Sequence, residues 1–164
     1  MLRENNEMRG ALTMQVTDRQ GLLVCEMRQK NRIVTSGRSL VAQLFAGVAG
    51  GVPPSPVTHM GVGTNAAAPS DGDGALKAER APRRAISSVD YSEISEGTGA
   101  DEVKRVRARL TAVFDFGDAN GAEPLREAGI FTAETGGVMY NRVVFEPVTK
   151  TDAFKLTLLW DIVF

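Results

Sequence analysis

The firmest signal in the chain is an alternation of apolar and polar positions with period two, the spacing at which successive strand side chains point to opposite faces. From Val106 the even positions read Val106, Ala108, Leu110, Ala112, Phe114 and Phe116, and the odd ones Arg105, Arg107, Arg109, Thr111, Val113 and Asp115. One face is apolar and the other wet, as in a half-buried antiparallel strand. The C-terminal segment repeats the pattern more strongly. Phe154, Leu156, Leu158, Trp160, Ile162 and Phe164 share one face, and Ala153, Lys155, Thr157, Leu159, Asp161 and Val163 the other. That second face turns apolar toward the end, which predicts a covering layer or chain. Leu12, Met14 and Val16 alternate with Thr13, Gln15 and Thr17, Asp18 to Gly21 has the composition of a turn, and Leu22 to Arg28 reads as the return strand of a hairpin. Val57 to Val62, Arg84 to Val89, Gly129 to Ala133 and Val138 to Phe145 are further strands, the last two joined by a turn at Glu134 to Gly137.

One helix interrupts this pattern. Ser36 is placed to cap it, Leu40, Leu44, Phe45 and Val48 form a stripe at helical spacing, and Gly47, Gly50 and Gly51 followed by Pro53 and Pro54 end it. One helix among many short strands predicts a mainly-β fold, an antiparallel β-sandwich with the helix packed on its side. The expected organisation is an N-terminal arm or hairpin over residues 1–32 and a sandwich over 33–164, one globular domain overall. Asn65 to Gly74 and Glu93 to Glu102 read as exposed, mobile loops.

Composition narrows the classes of function. The 164 residues carry a formal net charge of −1, so no global basic field gathers nucleic acid or anionic lipid. The longest apolar stretch, Leu40 to Val52, is too short and too rich in glycine to span a bilayer. Met1 to Gly10 lacks the apolar core of a secretory signal, and Cys25 is the single cysteine, so the expectation is folding in a reducing cytoplasm without a disulfide or a Cys-based zinc site.

Candidate chemistry is thin. Asp71-Gly72-Asp73-Gly74 has acids at alternate positions, as in a calcium loop, but no further ligands follow in step, which leaves a solvated turn. His59 is the only histidine and has no evident Ser or Asp partner. Gly61-Val62-Gly63 lacks the Lys-Ser or Lys-Thr of a phosphate loop, and its glycines are better suited to letting another segment approach. Arg105, Arg107 and Arg109 form a basic ladder without interleaved aromatics, expected to pair with acids such as Glu93, Glu96, Asp101 and Glu102. Glu79 and Glu127 stand in apolar or arginine-rich surroundings, and a buried carboxylate there requires charged partners. Arg84 and Arg142 are the expected ones, so that Glu79, Arg84, Glu127 and Arg142 form structural ion pairs that pin loops to the sheet.

The order of these motifs carries a resemblance. Ile33-Val34-x-x-Gly37-Arg38-x-Leu40 is followed by Met60-Gly61-Val62-Gly63-Thr64, then Leu76-x-x-Glu79 with Arg83 and Arg84. Asn120-Gly121 precedes Leu125-x-Glu127-Ala128-Gly129-Ile130-Phe131, and Arg142-Val143-Val144-Phe145, Lys150 and the strand Leu156 to Phe164 close the series. From Ile33 onward the chain resembles the N-terminal domain of phage tail-collar and tail-fibre proteins and related small tail proteins. The resemblance implies a structural role in a tail, baseplate, collar or neck, without catalytic residues, metal or cofactor. No fibre shaft follows Phe164, so an adaptor to fibres or to neighbouring ring proteins is expected in place of a receptor-binding tip. The implied partners are other tail or baseplate proteins and further copies of the chain in a ring, and the implied location is the virion tail after assembly in the host cytoplasm.

Trp160, Phe164, Tyr140 and Arg142 are the candidate anchors of subunit contacts, because aromatics and arginine dominate interface energetics. For Trp160, core packing is an equal expectation. Two other readings stand beside assembly. A carbohydrate- or receptor-binding sandwich requires exposed aromatics near polar loops. A hydrolase using Glu79, Glu127 or His59 requires these groups to converge on one open pocket.

Overall fold

The computed structural model describes residues 7–80 and 82–164. Among these residues ten strands form two five-stranded antiparallel sheets packed face to face, with a single α-helix. The first sheet joins β1 (Arg9–Asp18), β2 (Leu23–Lys30), β6 (Ser88–Glu96), β7 (Val103–Phe114) and β10 (Phe154–Val163) in the order β2-β1-β10-β7-β6. The second joins β3 (Arg32–Ile33), β4 (His59–Gly63), β5 (Arg84–Ala85), β8 (Leu125–Phe131) and β9 (Met139–Val148) in the order β3-β9-β8-β4-β5. The predicted antiparallel β-sandwich with one helix is the fold observed.

The period-two faces read from the sequence are the faces that meet. Leu12, Met14 and Val16 of β1, Leu110, Ala112 and Phe114 of β7, and Leu156, Leu158, Trp160 and Ile162 of β10 are all buried. They pack in one core with Met60, Val62, Ala128, Ile130 and Val143 of the second sheet. β1 pairs with β10 along its whole length, from Arg9 opposite Val163 to Asp18 opposite Phe154. The N-terminal hairpin is therefore two strands of the first sheet, and the chain passes to the second sheet at β3. Met1 to Asn6 of the expected arm lie outside the described residues.

Three local expectations need correction. Arg84 to Val89 is not one strand: Ile86 N–H donates to Thr58 O of the second sheet's side, and the next residue, Ser87, donates to Thr111 O of the first. The chain changes sheets there, which makes a corner of the sandwich. Glu93 to Glu96 belong to β6, because their acids sit beside the bases of β7: Glu93 lies opposite Val106 and Glu96 opposite Val103, within reach of Lys104 and Arg105. The helix α1 (Thr35–Ala46) begins after Val34, and Ser36 is not its cap. The Ser36 hydroxyl instead donates to Met139 O, at 2.8 Å.

Only one end of α1 is anchored. Gly37 and Leu40 are buried, and a Cβ on Gly37 would run into the carbonyl of Tyr140, so a side chain there would push the helix off β9. The rest of the apolar stripe faces outward: Leu44, Phe45 and Val48 are exposed, Phe45 by 92%, and Val52 beyond the helix by 91%. No helix among the described residues is long and apolar enough to cross a membrane.

Candidate functional site

The outer face of the second sheet carries the largest concentration of buried charge. In register across that sheet, Gly61 lies opposite Gly129 and Gly129 opposite Arg142, while Gly63 lies opposite Glu127. Three glycines on neighbouring strands leave a shallow floor without side chains. The segment Leu76 to Arg80 pairs with the edge of β4, Glu79 bridging Gly63, and its Leu76 and Glu79 side chains reach over that floor. Thr64 N–H donates to Ala78 O, and Arg80 N–H donates to Val62 O. A Cβ on Gly63 would meet the Ala78 carbonyl and stand 2.6 Å from Glu127 Oε1.

Glu127 and Arg142, both 0% exposed, close this contact from beneath. Glu127 Oε1 accepts from Ala78 N–H at 2.7 Å and Oε2 from Lys77 N–H at 3.2 Å. Arg142 Nε donates to Glu127 Oε2 at 2.7 Å, and Nη1 donates to Ala67 O at 2.9 Å and to Asp73 Oδ2 at 3.1 Å. Asp73 also accepts from the Ser70 N–H and hydroxyl, each at 3.0 Å. Burial alone would push the Asp73 carboxyl up, but the hydrogen bonds from Ser70 and Arg142 outweigh it and hold the group below the ordinary carboxylate value. Two carboxylates, one guanidinium and three backbone groups thus tie residues 67–78 to β8 and β9. The stretch Asn65 to Gly74, expected to be exposed and mobile, is pinned by a buried charge at Asp73.

A second clasp lies beside the first. Arg83 makes two bonds to Glu79, Nε to Oε1 at 2.6 Å and Nη2 to Oε2 at 3.0 Å. Its Nη1 donates to Ala133 O and Gly136 O, and its guanidinium stands 3.4 Å from the centroid of the Phe131 ring. The bidentate fork and the stacked plane are what an arginine supplies and a lysine does not. Lys150, also fully buried, donates to Phe116 O, Asn120 Oδ1 and Thr151 O. Burial pushes its pKa down, against the nearby carboxylates Asp118, Asp115 and Asp152.

Of the two arginines expected as partners, the structure joins Arg142 to Glu127 and Arg84 to neither carboxylate. Glu79 binds Arg83, while Arg84 binds Asp118. Arg84 begins β5 at the chain's turn toward the other sheet, which carries its side chain away from Glu79. Among the four anchor candidates, Trp160 is 0%, Arg142 0% and Tyr140 4% exposed, so these three belong to the interior and only Phe164, at 45%, offers surface. Trp160 Nε1 donates to Asn31 Oδ1 at 3.0 Å, a core tryptophan with its one donor satisfied. The aromatic and arginine content that suggested an interface was instead taken up by packing and by the buried pair.

The remaining motifs resolve singly. Asp71 pairs with Arg32 at 2.8 Å and Asp73 with Arg142, so both acids of the calcium-like turn are engaged by guanidinium groups. No group of three or more His, Cys, Asp or Glu side chains among the described residues is placed to hold a metal ion. His59 Nδ1 lies 2.8 Å from the hydroxyl of its neighbour Thr58. With Glu127 sealed beneath Arg142, the hydrolase reading loses one of its two carboxylates. In the basic ladder, Arg109 pairs with Asp161 through 2.7 Å and 2.8 Å bonds, an acid on β10 that strand pairing alone brings opposite it. The hydrogen bond from Arg109 is the main cause that holds the Asp161 carboxyl below its ordinary value, against burial.

Asp73 and Lys150 were not singled out as partners of any group. The only local sign for Asp73 was Ser70 three residues before it, a spacing suited to a side-chain-closed turn. One apolar cleft, of about 210 Å³, opens between α1 and the first sheet, lined by Leu40, Leu44, Val89, Tyr91, Tyr140 and Phe164 among others. No family model, no curated protein and no solved structure matches this chain.

Proposed function

We propose that the chain is a structural subunit of a phage tail or tail-like injection particle, an adaptor in a baseplate, collar or neck located in the virion tail. The observation that carries this reading is apolar surface left over after the core is filled. Leu44, Phe45, Val48 and Val52 stand exposed on and beyond α1, and Leu22, Leu23, Val24, Val89 and Tyr91 at the start of β2 and on β6 of the first sheet. Clustered exposed apolar side chains in a chain with a complete core are the material of protein–protein contacts. The buried charges support the same reading, since Glu127, Arg142, Asp73, Glu79 and Arg83 bind one another and the backbone and are directed to holding loops in place. The order of motifs shared with tail-collar and tail-fibre domains supplies the particular class of assembly.

The test is the location of the protein. Mass spectrometry and immunogold labelling of purified particles should find the chain as a stoichiometric tail component. Particles that lack it while the host lysate contains it would reject the assignment.

A further inference from the structure

The two sheets end differently. The second sheet is bounded by β3 and β5, of two residues each, too short to recruit another strand. The first is bounded by β2, of eight residues, and β6, of nine, both exposed along most of their length and without an outer partner among the described residues. Every neighbouring pair in the first sheet is antiparallel. With three strands between them, β2 and β6 therefore run in the same direction.

We infer that β2 of one copy pairs in parallel with β6 of a second copy, so that the first sheet continues from subunit to subunit in a closed ring. The inference rests on the assembly reading above and names its partner, another copy of this chain. A head-to-tail contact of two different edges is the type that generates rings, whereas a two-fold contact would pair an edge with itself.

The composition of the edges distinguishes these two cases. β2 opens on exposed apolar residues, Leu23 and Val24 preceded by Leu22, and ends on Arg28 and Lys30. β6 opens on exposed Val89 and Tyr91 and ends on Glu93 and Glu96. Parallel pairing sets apolar half beside apolar half and bases beside acids. Antiparallel pairing of β2 with β2, or of β6 with β6, sets each apolar half against a charged one. Lys104 and Arg105 already neighbour Glu93 and Glu96 within the chain. The apolar halves therefore fix which ends meet, and the charges exclude the reversed arrangement. Side chains level with one another in a sheet share a face; Cys25, opposite Val16, and Tyr91, opposite Ala108, both lie on the core-side face, so the register that brings Cys25 level with Tyr91 places Lys30 level with Glu96 on the outer face.

Cys25 is exposed and is the single cysteine, so the native chain contains half of a cross-link. In the full-length Tyr91→Cys variant, mild oxidation should give a ladder of dimers and higher multiples on non-reducing gels. The ladder should vanish when Cys25→Ser is added. Lys30→Glu should weaken self-association by about tenfold or more in sedimentation experiments, and adding Glu96→Lys should restore it, as expected for one repulsive contact exchanged for an attractive one. Oxidised dimers of the unmutated chain that do not extend further, or a monomer at all accessible concentrations, would overturn the pairing. A ladder formed by a chain absent from purified particles would keep the pairing and remove the tail assignment. A monomeric chain found in the particles would do the reverse.

Discussion

The same residue types, arginine and a carboxylate, meet twice in this molecule with opposite consequences. On the outer face of the second sheet Arg142 and Glu127 are both fully buried, joined at 2.7 Å, and bind the backbone of residues 67, 77 and 78. On the first sheet Arg109 and Asp161 are joined at the same distance, but the arginine side chain is 39% exposed and neither group holds a loop. Water reaches the arginine of the second pair and neither partner of the first. Geometry at the contact is alike, so what an ion pair does is decided by what covers it.

Arg142→Ala tests this contrast most severely. It strands Glu127 without its cation in the interior, and the expected loss is about 3–5 kcal/mol in chemical denaturation, the usual cost of breaking a buried pair. A loss below about 1 kcal/mol would mean that water reaches the site and that the contrast is false. Gly63→Ala comes next. The added methyl collides with Ala78 and Glu127 and lifts the covering segment, at an expected cost of about 1–3 kcal/mol.

Acid titration sharpens the comparison further. Asp73 and Asp161 both have carboxyl groups held below the ordinary 3.8. Each contributes stability that is present above that value and lost as pH falls through the lower folded one. Melting temperature should therefore drop steeply below about pH 4, and the drop should be shallower in Arg142→Ala, in which Asp73 has lost one of its donors. An equally steep drop would show that Asp73 does not depend on Arg142. Arg109→Ala should cost less than Arg142→Ala, about 1–3 kcal/mol, since Asp161 is buried but water reaches the place the arginine vacates.

Tyr140→Phe is the smallest perturbation. The Tyr140 hydroxyl is buried without a partner, and burial pushes its pKa up to about 12. Removing an unsatisfied hydroxyl should leave stability at neutral pH unchanged or slightly raised. The raised value also means a stability contribution present below about pH 10 and lost as pH rises through about 12, a dependence the phenylalanine variant should lack. A clear loss at neutral pH would reveal a hydrogen bond at that hydroxyl.

The candidate site was only partly legible from the chain. That Glu127 needs a cation could be read in advance, because it stands inside the apolar stretch Leu125 to Phe131, but Arg84 and Arg142 were both open as its partner. Glu79 was expected to bind Arg84 or Arg142, but Arg80, Arg83 and Arg84 all follow within five residues and only the path of the chain selects Arg83. Asp73 was missed because its neighbours are Gly, Ser and Ala, a composition that reads as solvent-exposed loop. Its burial comes from Arg142, 69 residues away.

Alternation of apolar and polar positions determined by itself that this is a β-sandwich, and even which faces of β1, β7 and β10 turn inward. Period-two burial is a local property, because each side chain's face follows from its neighbours along the strand. Which charges pair, where the chain crosses between sheets at Ile86 and Ser87, and that α1 leaves Leu44 and Phe45 exposed were decided by the tertiary structure alone. Those outcomes depend on residues distant in sequence occupying the same small volume, and no local pattern records what will cover a side chain.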